Sequence, residues 1–512
     1  MLFSGLFPVQ SHGKSAILKT MLILVTKGVG CKMKRIKSLI LALICLLAFA
    51  SPILATSENG TVDINVLTTV TEENLNLEAQ GAILMGLENG EIIFSRNGDK
   101  KLYPASTTKI LTALLALEHG DLDGIVTVGN EANLCTYDSS KAGLDIGEEI
   151  SLEELLYGLM LPSGNDAAYT IAVHIGREVK SDQSLSIDKA VDAFIDLMNS
   201  RSKELGASNS HFVTPDGYHD DNHYTTARDI ALITREAMKH DVFRKIVATR
   251  MFTIPDWSSL HNPNVENETR YWRNSNLLIQ PNDQFHYPDA TGVKTGYTSK
   301  AMHCLVTSAT RDNMELLTVV LGSSRHGKWT DSTTLLDYGF DNYERYKPFS
   351  QGEQLAILDI EGNPQQDWVR IVADRAPIFL IPKGNLDKVS QEIEWNEEVS
   401  QNEEDGKNHL SIEVPVSKSQ KVGSVTISLD GKILDKIDLI TSRAVEKKEK
   451  EAPKPLVKIK DGIDNSFSAL WASHSPWKKV LYGLGILIII LFIIRIGLVR
   501  RRRKKQNFIR RY

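Results

Sequence analysis

The feature that most constrains this chain is an apolar segment that begins with a hydroxyl group and an amine. The segment reads Tyr103-Pro-Ala-Ser-Thr-Thr-Lys-Ile-Leu-Thr-Ala-Leu-Leu-Ala-Leu117, and Pro104 suits the first position of a helix, where its missing N–H costs nothing. A helix that is apolar on nearly all sides is a buried one. Ser106 and Lys109 then lie on one face of its first turn. Because burial disfavours a charged amine, the sequence predicts that Lys109 has a lowered pKa and can take the proton of Ser106.

The Ser-x-x-Lys spacing is weak evidence of catalysis by itself, because it is also typical of a helix start that carries a surface lysine. The same spacing recurs where no apolar helix begins, at Ser11/Lys14, Ser186/Lys189 and Ser475/Lys478. Residues elsewhere in the chain therefore have to decide between the two interpretations.

Two further short patterns follow the first one along the chain. Ser163-Gly164-Asn165 lies in a break between two helical segments, and Lys294-Thr295-Gly296 lies in an apolar strand pattern. Each of these alone fits a plain structural role, as a turn between helices or as an exposed strand end. The order of the three patterns, on a buried helix start, an inter-helix loop and a strand, is a far more specific signal than any one of them.

Hydrophobic periodicity predicts a mixed fold for residues 56–345. Asn89-Gly90 between two apolar runs predicts a β-hairpin. Helices are predicted at 152–160, 166–176, 190–205, 227–240 and 330–340, and strands at 291–298, 304–309 and 315–321. Strands at both ends with helices between them predict an α+β domain, in which an antiparallel sheet carries flanking helices and a helical subdomain.

Residues 346–443 alternate short apolar runs with turns, and this pattern predicts a small all-β domain. Its strands are predicted at 354–360, 369–373, 378–381, 412–416, 423–429 and 433–440. Residues 444–479 are charged and contain proline, which indicates a linker or juxtamembrane stalk.

Both ends of the chain are apolar and basic. Residues 1–55 are predicted to be a leader, with a basic start after Met33, an apolar run, and cleavage after Ala55; Met33 is a candidate for the true start. Residues 480–499 are long enough to cross a bilayer, and the basic tail 500–512 follows them. We therefore expect a single-pass protein of the cell membrane whose catalytic domain is extracytoplasmic.

Charge and cysteine content exclude some classes of partner. The net charge is −5 over 512 residues, so nothing in the sequence favours a nucleic acid as partner. Once the leader is removed, Cys135 and Cys304 remain, and their spacing has no metal or disulfide signature. The sequence predicts two free, mostly buried thiols.

The three patterns and their flanks resemble the penicillin-recognising serine enzymes, and among them the D-alanyl-D-alanine carboxypeptidases, which are the low-molecular-mass penicillin-binding proteins. The resemblance is carried by the runs 103–109, 154–168, 223–229, 292–298 and 336–340. It implies a β-lactamase/transpeptidase-like fold followed by a β-domain and a membrane anchor. It also implies a serine carboxypeptidase that trims the terminal D-alanine of peptidoglycan stem peptides, is inhibited by β-lactams, and needs no cofactor or metal.

The resemblance assigns roles to the first two patterns. Ser106 would attack the carbonyl carbon between two D-alanines, with Lys109 as its base. Ser163 would relay the proton to the leaving D-alanine, and Asn165 would hold Lys109 and the peptide backbone of the substrate.

The third pattern would bind the substrate. Lys294 would supply a fixed positive charge that lowers the pKa of Lys109 and binds the terminal carboxylate, with help from Thr295 or Thr298. Gly296 would let the strand approach the substrate closely.

The resemblance places the oxyanion hole at two backbone N–H groups, those of Ser106 and Tyr297. Many relatives have histidine where Tyr297 stands. Because only the N–H is needed, the chemistry is expected to survive this difference.

Two smaller features remain. The spacing of His219 and His223 suggests a pair of metal ligands, but their Pro-, Asp- and Gly-rich surroundings indicate a loop, and residues 223–226 are predicted to lead into the cap of the next helix. Arg325 is predicted to face the carboxylate pocket.

Several functions compete with the carboxypeptidase. A β-lactamase of the class with these motifs needs a Glu-x-x-Leu-Asn pattern between the second and third motifs, and this chain has none. A penicillin-binding sensor is disfavoured by the short tail after Val499. A D,D-endopeptidase stays open, as do the oligomeric state, the role of the β-domain and the diamino acid of the stem peptide, although Lys294 favours a substrate with a free carboxylate.

Overall fold

The computed structural model describes residues 75–255, 257, 269–361, 367–404, 407–446 and 495. All of these belong to one compact unit, Val70–Tyr512. None of the helices among these residues is long and apolar enough to cross a membrane. The predicted leader (1–55) and, apart from Arg495, the predicted span (480–499) lie outside the described residues, so both stay predictions.

The first part of the chain is built on a five-stranded antiparallel sheet. The strands that the structure describes here are β1 (Gly81–Gly86), β2 (Ile92–Arg96), β3 (Ile125–Thr127), β4 (Glu149–Ser151), β5 (Met251–Ile254), β6 (Arg270–Arg273), β7 (Ala290–Thr298), β8 (Met302–Arg311), β9 (Met314–Ser323) and β10 (Tyr343–Tyr346). The sheet order is β2-β1-β9-β8-β7, and β3–β4 and β5–β6 form separate two-stranded pairs. The predicted hairpin at Asn89-Gly90 is confirmed by the antiparallel pairing of β1 with β2.

Helices cover both faces of this sheet. They are α1 (Lys109–His119), α2 (Leu152–Met160), α3 (Asn165–Lys180), α4 (Ile187–Glu204), α5 (Ala227–Ala237), α6 (Asp241–Ala248) and α7 (Gly327–Asn342). Strand β1 shows the two-sided burial directly, because Ile83 and Met85 pack in the core with α1 to α6, whereas Ala82 and Leu84 pack with α7 on the other face. A sheet buried on both faces holds its strands rigidly, which suits the placement of a site at its edge strand β7.

Side-chain caps that are visible in the sequence explain where α2 and α5 begin. Ser151 accepts a hydrogen bond from the Glu154 backbone N–H and the Glu154 side chain reaches back to the Ser151 backbone N–H, which makes a capping box at the start of α2. Thr226 caps α5 by accepting from the Asp229 N–H, as predicted.

Several elements of this part of the chain differ from the sequence prediction. The segment 227–240, predicted as one helix, ends at Ala237, and a further short helix, α6, follows from Asp241. The β5–β6 pair was not predicted, because both strands are short and β6 carries arginines beside its aromatic residues.

The second part of the chain is all-β, as predicted. Its strands are β11 (Ala356–Glu361), β12 (Trp368–Ala373), β13 (Phe379–Pro382), β14 (Val389–Trp395), β15 (Val399–Glu404), β16 (Lys407–Glu413), β17 (Lys421–Leu429) and β18 (Lys432–Thr441). Seven of them form a sheet in the order β14-β17-β18-β12-β11-β16-β15. The sequence reasoning missed the edge strands β14 and β15, whose side chains are largely polar.

Strand β13 does not join this sheet. It pairs with β10 instead, and Leu380 of β13 is buried in the core beside α7. The Leu380 N–H also donates to the Glu91 carboxylate at 3.3 Å. The predicted strand at 378–381 therefore ties the β-domain to the sheet-containing part of the chain.

Candidate active site

Ser106 and Lys109 lie together at the start of α1, as their spacing requires. A short 3-10 helix, Ala105–Thr108, precedes α1 and carries Ser106. Lys109 is completely buried, and its Nζ donates to Ser106 Oγ at 3.1 Å, to Asn165 Oδ1 at 2.7 Å and to the Asp216 carbonyl oxygen at 2.8 Å. Three acceptors at these distances fix the amine beside the hydroxyl.

Burial lowers the pKa of Lys109 to about 8, while the negative charges of Asp216 and Asp166 oppose this shift. The amine is therefore neutral in a substantial fraction of molecules near neutral pH. This lowered pKa was predicted from the apolar character of the helix alone.

The loop that carries Ser163 and Asn165 faces the nucleophile. Ser163 has a left-handed backbone conformation (φ 66°), which is uncommon for a residue other than glycine. The Gly164 N–H donates to the Gly158 carbonyl at 3.0 Å and the Asn165 N–H donates to the Ser140 carbonyl at 2.8 Å. These bonds hold the loop so that Ser163 lines the cavity and Asn165 reaches Lys109.

The next residue, Asp166, fixes a neighbouring wall of the site. Its buried carboxylate accepts from the N–H groups of Ala142, Gly143 and Leu144 at 2.8, 2.8 and 3.1 Å. The Trp272 indole N–H donates to the Ala142 carbonyl at 2.7 Å. The loop that supplies Asp138, Ser139 and Ser140 to the cavity is thus pinned from two sides.

Strand β7 forms the opposite wall. A side chain at Gly296 would place its Cβ 3.0 Å from the Pro104 carbonyl oxygen and 3.2 Å from the Ser106 backbone nitrogen. Only glycine lets the strand lie this close to the turn that bears the nucleophile. The structure shows a close approach to that turn, and the approach of the strand to the substrate stays a prediction.

The remaining polar groups of β7 are held by neighbours. Thr295 Oγ1 lies 2.7 Å from Ser275 Oγ, and Thr298 Oγ1 accepts from the Ala301 N–H at 3.0 Å. The Tyr297 ring is exposed and stacks on His303 with 4.4 Å between ring centroids. Thr295, Tyr297 and Thr298 all line the cavity.

Lys294 is buried behind this wall, and its Nζ donates to the Thr295 carbonyl at 3.1 Å. Burial lowers its pKa well below the ordinary value, and the positive charges of Lys109 and Lys328 lower it further. The repulsion belongs to the pair of lysines, since a proton on either amine disfavours a proton on the other, and burial is the larger cause of the lowered pKa of both. The sequence had predicted this repulsion together with a fixed positive charge on Lys294.

These walls enclose an open cavity of about 490 Å³ that Ser106 lines. Lys328, in the first turn of α7, also lines it, and burial lowers the pKa of this lysine to about 8. Arg325, predicted to face the carboxylate pocket, is exposed and does not line the cavity. Arg325 precedes α7, and its side chain points to solvent. The cation that α7 brings to the cavity is Lys328.

The histidine pair is split between two environments. His219 lines the cavity and makes an edge contact with Tyr103, with 4.7 Å between ring centroids. His223 is buried, with its Nε2 2.9 Å from Thr108 Oγ1. The described residues contain no group of three His, Cys, Asp or Glu side chains that could hold a metal ion. Cys135 and Cys304 are free and buried, as predicted.

Sequence reasoning missed the Asp216 carbonyl, Asp166 and Lys328. The carbonyl belongs to the run Pro215-Asp216-Gly217, whose turn character was visible, but its direction depends on the packing of the loop. A serine hydroxyl in contact with a buried lysine, facing a second serine and an asparagine across an open cavity, fits the arrangement of a serine acyl-transfer site.

Comparisons with known proteins specify this class. The chain matches the family model of D-alanyl-D-alanine carboxypeptidase over residues 68–325 and that of the penicillin-binding protein 5 C-terminal domain over residues 343–447. It is 28% identical to D-alanyl-D-alanine carboxypeptidase DacF of Bacillus subtilis, over 78% of this chain and 92% of the relative. It is 30% identical to DacA of Haemophilus influenzae, over 70% of this chain and 82% of the relative.

A solved structure agrees with these matches. Penicillin binding protein 5 from Haemophilus influenzae superposes with a TM-score of 0.57 at 30% identity, covering 73% of this chain and 98% of that one. The chain belongs to the D-alanyl-D-alanine carboxypeptidase family of serine peptidases. The expected transpeptidase-like fold followed by a β-domain is confirmed.

Proposed function

We propose that this chain removes the terminal D-alanine from peptidoglycan stem peptides through an acyl-enzyme on Ser106. The observation that carries the proposal is the 3.1 Å distance between Ser106 Oγ and the buried Nζ of Lys109. Burial lowers the pKa of this amine to about 8. A neutral amine at this distance can accept the proton of the hydroxyl as it attacks.

In the acylation step, Ser106 Oγ forms a bond to the carbonyl carbon of the penultimate D-alanine, and Lys109 takes the hydroxyl proton. The C–N bond to the terminal D-alanine then breaks, and the leaving amine receives a proton from Lys109 through the Ser163 hydroxyl. Water then attacks the ester carbonyl carbon, the bond from that carbon to Ser106 Oγ breaks, the shortened peptide leaves as a carboxylic acid, and Ser106 Oγ regains a proton that came from the water. Asn165 holds Lys109 in place during this exchange, through its 2.7 Å hydrogen bond.

The oxyanion that develops on the attacked carbonyl would be bound by the backbone N–H groups of Ser106 and Tyr297. The support for this assignment is the close packing at Gly296, where a Cβ would lie 3.2 Å from the Ser106 nitrogen. The glycine brings the strand that bears Tyr297 against the turn that bears Ser106.

The cations of the site favour a substrate with a free terminal carboxylate. Lys328 lines the cavity, and Lys294 lies directly behind the wall that Thr295 and Thr298 form. A carboxylate placed here would satisfy both hydroxyls and stabilise the charged form of the lysines. This arrangement favours the carboxypeptidase over a D,D-endopeptidase, and it would accept the carboxylate of a β-lactam in the same way.

The proposal includes tethering to the outer face of the cell membrane. Its support is the sequence pattern alone: an amino-terminal leader over 1–55, the apolar run 480–499 and the basic tail 500–512. Fractionation of cells that express the full chain, or a chain shortened at residue 479, tests this. The full chain is expected with the membranes and the short one in the soluble extracytoplasmic fraction, whereas equal partition of both would refute the anchor.

The activity is tested by measuring D-alanine release from a pentapeptide that ends in D-Ala-D-Ala, with the full chain in detergent. Ser106→Ala is expected to abolish release and labelling by penicillin. Ser186→Ala is the matched control, because Ser186 and Lys189 have the same spacing outside the site. Release only from cross-linked dimers would favour the endopeptidase, and labelling without any release would favour a sensor.

A further inference from the structure

The turn that carries the nucleophile adopts an unfavourable backbone conformation. Ala105, directly before Ser106, has φ 49°, in the left-handed region that residues with a Cβ avoid. Such a conformation persists only when the surroundings hold it. The turn therefore depends on contacts from outside its own segment.

His223 supplies such a contact through Thr108. The Val213 backbone N–H donates to His223 Nδ1 at 3.2 Å, so the ring proton of the neutral imidazole resides on Nε2. Nε2 then donates to Thr108 Oγ1 at 2.9 Å, and the Thr108 hydroxyl donates to the Ala105 carbonyl at 2.9 Å. A continuous chain of hydrogen bonds thus runs from the loop at Val213 to the strained residue beside Ser106.

The imidazole is well suited to this fixed role. His223 is 1% exposed, and burial lowers its pKa to about 3, so it keeps a single proton at any pH where the enzyme works. It does not line the cavity that Ser106 faces. It therefore acts on the reaction through the residues it bonds, which are Thr108 and the loop at Val213, and not by lining the cavity.

The loop that orients His223, residues 213–217, also holds Lys109. The Asp216 carbonyl of this loop accepts from Lys109 Nζ at 2.8 Å. A Cβ at Gly217 would collide with the Ala105 carbonyl, which shows how closely the loop and the turn are packed. The Gly217 N–H donates to Thr214 Oγ1 at 3.2 Å, and that hydroxyl lies 3.5 Å from His223 Nδ1.

We propose that His223 is a positioning residue, which holds the Ala105–Ser106 turn in its reactive conformation by donating a hydrogen bond to Thr108. Neither the three motifs nor the family comparison assigns this role. The proposal rests on the proposed function only in taking Ser106 as the nucleophile.

Two matched pairs of variants test it. His223→Gln keeps an N–H donor near the Nε2 position, whereas His223→Asn is too short to reach Thr108. Thr108→Ser keeps the hydroxyl, whereas Thr108→Val replaces it with a methyl group of the same size. His211→Asn is the control, because His211 lies nearby but is exposed, and its ring bonds to the Asn222 carbonyl and contacts Tyr224, away from Thr108.

The measurements are the rate of acylation by penicillin per folded molecule, the dissociation constant of the complex before acylation, and the thermal midpoint. We expect the Asn and Val variants to lose acylation rate by on the order of tenfold with an unchanged dissociation constant, since small misplacements of a nucleophile have effects of this size. The Gln and Ser variants should recover most of that rate. His223→Asn combined with Thr108→Val should lose no more than the worse single variant, because both break the same chain.

Equal acylation rates in the Asn and Gln variants, or additive losses in the double variant, would overturn the positioning role and leave His223 as a stabilising core residue. If His223→Asn does not fold, the Thr108 pair decides the question by the same comparison. A wild-type chain that penicillin does not acylate at Ser106 would refute the proposed function, and the positioning role with it. Acylation that is normal in every variant would refute the positioning role alone.

Discussion

The hydrogen bond between Asn165 and Lys109 allows the role of the lysine as a base to be tested by changing one atom. Asn165→Asp keeps the shape of the side chain but places a carboxylate oxygen where Oδ1 now lies, 2.7 Å from Nζ. An opposite charge at this distance raises the pKa of an amine by about 1–3 units. The variant should therefore hold Lys109 protonated at pH values where the wild-type amine is partly neutral.

The size of the effect follows from the pKa of about 8 for Lys109. At this pKa about a tenth of the wild-type molecules have a neutral amine at pH 7 and about half at pH 8. A rise of about 2 units lowers the neutral fraction at pH 7 by about a hundredfold, but at pH 10 half of the variant molecules are again neutral. Acylation by Asn165→Asp should thus be very slow at pH 7 and recover steeply in alkaline solution.

The assay is the rate of penicillin acylation between pH 6 and pH 10, followed by stopped flow at saturating penicillin. Asn165→Ala is the control, because it removes the hydrogen bond without adding a charge and should lower the rate at all pH values without moving the alkaline rise upward. If the rise in Asn165→Asp stays at the wild-type pH while the protein remains folded, neutral Lys109 is not the base and the mechanism proposed above fails.

Three further predictions concern Gly296, Lys328 and His223. Gly296→Ala places a Cβ 3.0 Å from the Pro104 carbonyl, so β7 or the turn must shift, and acylation should fall by about ten- to a hundredfold; an unchanged rate would show that the close approach is dispensable. Lys328→Ala should raise the KM for a D-Ala-D-Ala peptide while Arg325→Ala has little effect, and equal effects of the two would contradict the assignment of Lys328 to the cavity. The pKa of His223 is about 3 in the folded chain and about 6.5 in the unfolded chain. Between these pH values the unfolded chain binds one more proton, so the free energy of unfolding falls as the pH drops from about 6.5 toward 3. The slope is up to about 1.4 kcal/mol per pH unit. Denaturant unfolding at pH 5 and pH 7 should show a smaller pH effect for His223→Gln than for the wild type, and an identical effect would contradict the buried neutral imidazole.

The sequence predicted those parts of the fold that depend on local patterns. The apolar run at β1, the Asn89-Gly90 turn and the capping box at Ser151 are each encoded within a few residues, so the hairpin was found and α2 was predicted with its correct ends. The β5–β6 pair was missed because contacts with residues that are distant in the sequence stabilise it. The Arg270 guanidinium in β6 packs on Trp257 and forms an ion pair with the buried Glu148.

The sequence predicted those parts of the site that consist of side chains. Ser106, Lys109 and Asn165 were expected together and lie within hydrogen-bond distance of one another through Lys109 Nζ. The third acceptor of that amine is the Asp216 backbone carbonyl, and the sequence does not encode the direction of a loop carbonyl. Lys328 was missed for a related reason, because packing against the sheet decides which side of α7 faces the cavity.

Two buried lysines near one serine impose a coupling between substrate binding and catalysis. In the free enzyme the positive charge of Lys109 disfavours a second charge on Lys294, whose pKa is lowered accordingly. A substrate carboxylate near Lys294 and Lys328 would stabilise the proton on Lys294, and the repulsion would then favour the neutral form of Lys109. The carboxylate would in this way prepare the base as well as bind the peptide. A peptide whose terminal carboxylate is amidated should therefore show a lower kcat as well as a higher KM, whereas a change in KM alone would mean that the carboxylate contributes binding and leaves the base unchanged.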